Sequence, residues 1–591
     1  MKIVNFFRAI LPFFWGKDKK VKTLIVLSIA FGLITVVLNL CVPISLRYIL
    51  NLLSASTQQP TVIAFTIIAS YGLIWTFAQL TQTLRFVLLF KPLNRASRVL
   101  VRTYFQHVLS LPLGFHLNRK TGALIGIIDQ AQNSLPLLIN ALMWQILPLL
   151  LEVISAIAIT CWMYGAIYGF MIFTTLFIYT AVTIITVNKA VKLQTMSMEK
   201  RKNASSYLHD SLLNYETIKY FNNDAVELSQ YDELLKDKET ARTLVDTKML
   251  LLNMLQMGIV GIGLTAITCY AGYSIFNHHL TVGDFVLLNG YVLQFSVPMS
   301  YFGWMIRDLK QAFYDLQSTL EILKIKSDIS DNAAAPPLKL QSTDIFFEEV
   351  KFAYDAQRDI IKGISFEVPR GKTLAIVGPT GSGKSTIAKL LYRFFDVTSG
   401  EIFINNQDIK SVTLDSLRRS IGIVPQEAVL FNNTLKYNIA YGNKAASEQD
   451  ILQAIEMAGL ASFIAKLPDG LETMVGERGL KISGGEKQRV AIARMLLKKP
   501  DIYIFDEATS SLDVEMEQQI QKNIDAISKN ITTIIIAHRL STVKHADEII
   551  VLHQGVILER GTHESLLMQN GYYFDMYQRQ VSNLPEILKV S

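Results

Sequence analysis

The chain has 591 residues, too many for a single hydrophobic core, and its length alone points to about three or four folding units. Half of its residues are hydrophobic and the mean hydropathy is +0.29, whereas a formal charge of +7 is modest and calls for no nucleic-acid partner. Cys41, Cys161 and Cys269 fall in apolar segments at spacings that fit neither a disulfide framework nor a metal site, which leaves them as small packing residues.

The first 310 residues contain long uncharged runs and the rest alternates like a soluble domain, so a membrane half precedes a cytosolic half. Residues 1–22 carry Phe6, Phe7, Phe13, Phe14 and Trp15, followed by Lys17, Lys19, Lys20 and Lys22, the composition of an amphipathic helix lying in a membrane interface. No small-residue cleavage site follows, and the stretch lacks the serine- and arginine-rich character of an organelle transit peptide. A bacterial inner membrane is therefore expected ahead of an organelle inner membrane.

Six apolar segments come next, near 23–46, 62–84, 135–160, 166–188, 249–276 and 285–306. Each reaches the roughly 20 residues a bilayer core requires, which predicts a six-span α-helical domain over 23–326. Lysines and arginines lie before the first span, between the second and third (Lys91, Arg95, Arg98, Arg102, Arg119, Lys120) and between the fourth and fifth, and none lies in the other three connections near 54–60, 163–165 and 277–283. The positive-inside rule then puts both termini and the two long, helical connections in the cytoplasm. Polar residues inside spans are expensive: Asn140, Gln145 and Glu152, then Asn253 and Gln256, then Asn289 and Gln294 are expected to line a water-filled cargo cavity or to hydrogen-bond between helices, with Arg307 and Asp308 at the cytoplasmic end of the last span.

Residues 327–341 read as a linker, 342–580 as a soluble domain and 581–591 as a tail. Alternating runs over 345–354 and 364–368 predict antiparallel strands, and Tyr354 at the end of the first could stack on adenine or simply be an exposed strand tyrosine. Gly378, Pro379, Thr380, Gly381, Ser382, Gly383, Lys384, Ser385 and Thr386 fit the P-loop pattern, between an apolar strand (374–377) and the start of a helix. Backbone N–H groups of such a loop cradle phosphate oxygens, Lys384 reaches the β- and γ-phosphates, and Ser385 ligates Mg²⁺. The apolar run 501–505 ends in Asp506 and Glu507: the first holds Mg²⁺, the second serves as general base on the attacking water. Two further apolar strands deliver Gln426 and His538, the latter placed to sense or polarise the γ-phosphate.

Residues 482–489 read Ile-Ser-Gly-Gly-Glu-Lys-Gln-Arg and open a helix, so Ser483, Gly484 and Gly485, with Glu486 behind them, form a second phosphate cradle. This resembles the ABC signature, with isoleucine for the usual leucine and glutamate for glutamine, and the chain is identified as a member of the ABC transporter family. The resemblance implies that Tyr354 stacks on adenine, that Gln426 is the Q-loop residue near Mg²⁺ and the attacking water, that 476–479 is the exporter X-loop, that 511–513 is the D-loop, and that His538 is the switch histidine. One ATPase domain and six spans make a half-transporter that needs a second copy, or a related partner, to complete its ATP sites. Span order resembles the exporter branch. Residues 119–122, 210–223 and 283–294 look like the mitochondrial-type and heavy-metal-tolerance members, which handle glutathione-linked sulfur or metal. In those, two arginines follow the Lys-Thr-Gly stretch; here the positions are Gly126 and Gln130. Asn214, Asn289 and Gln294 remain as cargo-site candidates. A lipid flippase or multidrug exporter, and an ATP-gated channel or regulatory subunit, are the alternative functions.

Overall fold

The computed structural model describes residues 3–16, 18–54, 61–117, 121–327, 329, 335–354, 358–476, 479, 481–508 and 514–582. It divides into two compact units, Met1–Leu109 with Arg119–Ile325, and Ser110–Asn118 with Lys326–Ser591.

The first unit is helical: α1 (Ile3–Trp15), α2 (Lys19–Ser54), α3 (Thr61–Ser110), then, past the short α4 (Leu113–Leu117), α5 (Thr121–Asn140), a π-helical stretch Ala141–Ile146, α6 (Leu147–Tyr164), α7 (Ala166–Leu213), α8 (Tyr215–Tyr220), α9 (Asp224–Phe276) and α10 (Val282–Leu323). The two long connections are indeed helical, continuing α3, α7 and α9 beyond their apolar stretches. Among the described residues, five helices are long and apolar enough to cross a membrane: Lys19–Ser54, Phe65–Ser110, Leu124–Tyr164, Ala166–Leu213 and Asp224–Phe276. The sixth expected segment lies in α10, which is not one of the five; Asn289, Gln294, Ser296 and Ser300 dilute its apolar stretch.

Helix α1 packs one face against α10. Phe6, Ile10 and Phe14, spaced by one turn, are buried in one cluster with Ala312 and Leu316 of α10, and the Phe6 ring lies 4.2 Å from that of Phe313. Phe7, Leu11 and Trp15 form the next stripe and are exposed. Elsewhere in the unit polar side chains tie helices together, as they do where hydrophobic burial cannot drive association. Gln256 donates to Thr183 (2.6 Å), Tyr168 to Ser274 (2.8 Å) and Thr268 to Asn289 (2.7 Å). Near the start of α10, Asp284 accepts from Arg47 (2.5 Å) and Tyr164 (2.8 Å) and closes a capping box with Thr281, joining α2, α6 and α10.

The second unit contains two sheets. The antiparallel one has strand order β2-β1-β4-β5, from β1 (Ile345–Ala353), β2 (Asp359–Val368), β4 (Ser399–Ile404) and β5 (Gln407–Asp408). The other runs β10-β9-β3-β8-β7-β6, with β3 (Thr373–Val377), β6 (Ile421–Val424), β7 (Ile502–Asp506), β8 (Thr532–Ile536), β9 (Glu548–His553) and β10 (Val556–Gly561). It is parallel except for the β9/β10 pair. Its central strands are apolar on both faces because both are covered. Leu374, Ile376, Ile504 and Ile536 join the core beneath the antiparallel sheet; Ala375, Val377, Phe505 and Ile535 join the core under the helices. The short helix α4 belongs to this unit, where an added Cβ on its Gly114 would meet the Phe395 ring at 3.5 Å.

Candidate functional site

Parallel strands present their carboxyl ends on one edge, and that edge collects the predicted nucleotide residues. After β3 the chain turns through Gly378–Gly383 and enters the helix Lys384–Leu391. Gly383 caps that helix at φ 108°, and a Cβ there would lie 2.6 Å from the Ile361 side chain; a Cβ on Gly378 would lie 2.1 Å from the Leu552 carbonyl. Only glycine fits either position. Lys384 is buried, and its Nζ donates to the carbonyls of Gly378 (2.8 Å) and Pro379 (3.0 Å). Burial pushes its ammonium pKa down, against the pull of the Glu507 and Asp506 carboxylates. Ser382 Oγ is buried with no hydrogen-bond partner, so the loop retains an unused hydroxyl.

Asp506 ends β7 and accepts from Ser385 Oγ at 3.0 Å. Burial raises its carboxyl pKa, partly offset by the Ser385 hydrogen bond. A carboxylate held where its charge is poorly solvated, beside a hydroxyl, suits a small dication, and Mg²⁺ is characteristically held by one or two carboxylates plus substrate phosphates. Among the described residues there is no cluster of three His, Cys, Asp or Glu side chains to hold a metal without such phosphates. Mg²⁺ at Ser385 and Asp506 would neutralise the phosphate oxygens during transfer.

Glu507 follows at φ 51°, a left-handed conformation that is strained for a residue with a Cβ. Its N–H donates to Ile536 O at 2.8 Å, and its Oε2 accepts from Gln426 Nε2 at 2.7 Å, so the Gln426 amide touches the predicted general base. His538 Nε2 lies 3.5 Å from Thr380 Oγ1. Tyr354 is 43% exposed; its ring stands nearly perpendicular to Phe352 and Phe395, at 4.9 and 5.1 Å, and its hydroxyl lies 3.3 Å from Thr386 Oγ1. The structure therefore brings Tyr354, the P-loop, Gln426, Asp506, Glu507 and His538 to one place.

The signature lies on another helix, Gly484–Lys498, with Ser483 as its N-cap. Glu486 N–H donates to Ser483 Oγ (3.3 Å), and Ser483 N–H donates to Glu486 Oε2 (2.7 Å). This capping box explains the glutamate at the fifth signature position: the residue completes the cap. Gln488, one turn on and buried, donates to the carbonyls of Pro425 and Gln426, both at 3.3 Å. Sequence reasoning missed this link, although Gln488 stands inside the signature motif. Residues 511–513, Glu477 and Arg478 of the X-loop, and Arg119 and Lys120 lie outside the described residues.

In the first unit a cavity of about 800 Å³ opens between α2, α3, the π stretch with α6, and α10. Asn289, Gln294, Gln145 and Glu152 line it, as do Asn39 and Arg85, which the sequence reading passed over. Asn39 Nδ2 donates to Glu152 Oε1 at 2.8 Å, Gln294 reaches Asn39 O at 3.4 Å, and Arg85, 6% exposed, leaves its Nε without a hydrogen-bond partner. Asn214 is elsewhere: it caps the end of α7, exposed, with its amide on Asp210 O at 2.8 Å. Gly126 and Gln130 do not line the cavity either.

Residues 361–510 match the ABC transporter family model, and residues 25–299 match the ABC transporter transmembrane region. A Homo sapiens protein described as the mitochondrial iron-sulfur clusters transporter ABCB7 is 40% identical over 98% of this chain and 79% of its own length. The Arabidopsis thaliana mitochondrial ABC transporter B family member 24 is 39% identical over 98% of this chain and 87% of its own. A solved structure of a bacterial Atm1-family ABC exporter with ATP bound superposes with a TM-score of 0.89 at 36% identity, covering 96% of this chain and all of that one. A P-loop, a carboxylate pair and a signature cap on a parallel sheet, joined to a multi-pass membrane region, have one reading in these relatives: the chain belongs to the ABC transporter family, as a mitochondrial-type exporter half-transporter that hydrolyses ATP with Mg²⁺.

Proposed function

We propose that two copies of this chain form the working exporter and that their cargo is a small sulfur- or metal-bearing conjugate of the glutathione type. The observation that carries the cargo reading is the chemistry of the α2–α3–α6–α10 cavity. One guanidinium, one carboxylate and the amides of Asn39, Gln145, Asn289 and Gln294 face a space of about 800 Å³ inside otherwise apolar helices. Desolvating such groups is expensive unless a polar cargo replaces the lost water, which favours a charged, peptide-like compound over a lipid tail. The names of the mitochondrial relatives, iron-sulfur clusters transporters, agree with sulfur- and metal-linked cargo.

In this reading α10 is the sixth span, residues 342–580 form the ATPase domain, and the lysine- and arginine-rich connections lie on its side of an inner membrane. Relatives occur in both bacterial and mitochondrial settings. ATP lies between the P-loop of one copy and Ser483–Glu486 of the other. Tyr354 stacks on adenine, and Lys384 with the loop N–H groups holds the β- and γ-phosphates. Glu507, oriented by Gln426, takes the proton of the attacking water, and His538 faces the γ-phosphate. ATP binding favours the closed pair of ATPase domains, hydrolysis the open pair.

ATPase activity of the protein in lipid nanodiscs, measured against oxidised and reduced glutathione, metal–glutathione complexes, lipids and hydrophobic drugs, tests the cargo. Stimulation by glutathione species is expected, and Arg85→Met should abolish it while leaving basal hydrolysis intact. Stimulation by lipids or drugs alone would replace this reading by the flippase or multidrug one. Hydrolysis indifferent to every compound would favour the channel or regulatory subunit.

A further inference from the structure

The last described helix of the chain, Tyr572–Ser582, reaches the loop that carries His538, and it is fixed at three points. At its start, Glu559 of β10 accepts from the backbone N–H groups of Tyr572 (2.5 Å) and Tyr573 (2.9 Å). In its middle, Tyr573 is fully buried with its hydroxyl 2.8 Å from His563 Nδ1, and Met576 and Tyr577 rest on the core under the parallel sheet. At its end, the Gln580 side chain meets the backbone on either side of Arg539. Its Nε2 donates to the His538 carbonyl and its Oε1 accepts from the Leu540 N–H, both at 2.8 Å.

This is a matched pair of contacts. A primary amide offers a donor and an acceptor side by side, and among the side chains only asparagine shares that, one methylene shorter. The approach to His538 is held by the sheet, where Ala537 N–H donates to Ile376 O at 3.1 Å. Beyond it the chain leaves β8 for a short 3₁₀ turn, Leu540–Val543, and has no strand partner. Gln580 supplies the second anchor, so the histidine is held from both sides with Nε2 toward Thr380 of the P-loop.

We propose that Gln580 is a positioning residue for ATP hydrolysis: it clamps the 538–540 backbone so that the His538 imidazole faces the γ-phosphate. Gln580 does not touch the nucleotide loop; its effect passes through His538. The proposal rests on the assignment of His538 to the γ-phosphate, and the experiment separates the two.

Steady-state ATPase activity of the full-length protein in nanodiscs is compared for the parent, Gln580→Ala, Gln580→Glu, His538→Ala and the His538→Ala/Gln580→Ala double variant. Misplacing a reacting group by an ångström costs up to about a hundredfold, so Gln580→Ala is expected to lower kcat about tenfold or more. KM for ATP, nucleotide affinity and the thermal midpoint should stay at parental values. The double variant should be no slower than His538→Ala alone, because groups acting as one unit are non-additive. Gln580→Glu is nearly isosteric and accepts from Leu540 N–H, but it sets a carboxylate against the His538 carbonyl; it should be as slow as the alanine variant, and it carries the test if Gln580→Ala does not fold.

An unchanged kcat in Gln580→Ala and Gln580→Glu would overturn the proposal. So would a loss confined to KM or to the thermal midpoint, or an equal loss with and without His538. Unimpaired hydrolysis in His538→Ala would overturn the histidine assignment, and the clamp with it.

Discussion

Replacing Tyr354 by alanine isolates the adenine contact. The ring is 43% exposed, and its two aromatic neighbours touch each other as well, with the Phe352 and Phe395 centroids 5.6 Å apart, so much of the local packing survives its removal. Stacking of a base on an aromatic side chain contributes about 1–3 kcal/mol, and at 1.4 kcal/mol per decade the loss corresponds to about 5- to 150-fold weaker ATP binding. Each lost edge-to-face contact is worth about 0.5–1.5 kcal/mol of fold stability, a separate quantity that a thermal midpoint without nucleotide will show. Fluorescent-nucleotide titration of the full-length protein in nanodiscs measures the first. Tyr354→Phe keeps the ring and drops only the long 3.3 Å contact to Thr386, so its affinity should lie within about twofold of the parent, and Tyr354→Trp should match or exceed it. A Tyr354→Ala protein that binds ATP within about twofold of the parent but melts lower would make the tyrosine a packing residue and refute the stacking argument.

Glu507→Gln should keep ATP affinity and lower kcat by about 10²–10⁴, the usual contribution of a general base, as read by phosphate release; equal turnover would remove Glu507 from the chemistry. Asp450 is held well below the usual carboxylate range, to about 2, by Lys499 and by the hydroxyl and N–H of Ser447 at the start of the helix Glu448–Met457. A depressed folded-state pKa stabilises the fold above the ordinary carboxylate range, and that stabilisation is lost as pH falls toward about 2. Asp450→Asn should therefore lower the thermal midpoint at pH near 7, with the gap to the parent closing as the medium is acidified. A gap independent of pH would show that the carboxylate charge is not what caps this helix.

The nucleotide residues were legible because each is announced locally. A glycine loop between strand and helix, an acid pair ending an apolar strand and a Ser-Gly-Gly before a helix are short-range patterns, and the parallel sheet then gathers strand ends on one edge. What was not legible depends on packing. Gln426 and Glu507 are far apart in sequence, and nothing in either stretch specifies their 2.7 Å contact. Asn39 and Arg85 drew no attention, since an amide inside a span and an arginine just past one come to line a common cavity only when α2, α3 and α6 come together. Asn214 was placed in the cargo path by resemblance, but the local helix ends there and turns its amide back on Asp210. Gln580 belongs to no motif; its significance lies in a carbonyl and an N–H more than a helix away.

The π-helical stretch Ala141–Ile146 sets the angular phase of everything beyond it. A π turn holds one residue more than an α turn, and in an α-helix each residue advances about 100° around the axis. Straightening 141–146 to a regular helix with all of its residues kept would swing Glu152 about a quarter-turn, away from Asn39 and out of the cavity, whereas deleting one residue there would restore the regular helix and keep that phase. Gln145 lies inside the wide turn and Glu152 beyond it, and both line the same space. The insertion thus acts like an indexing step between two sections of one rod: which side chains the outer half offers to a cargo is decided by a residue count, not by the chemistry of any one residue.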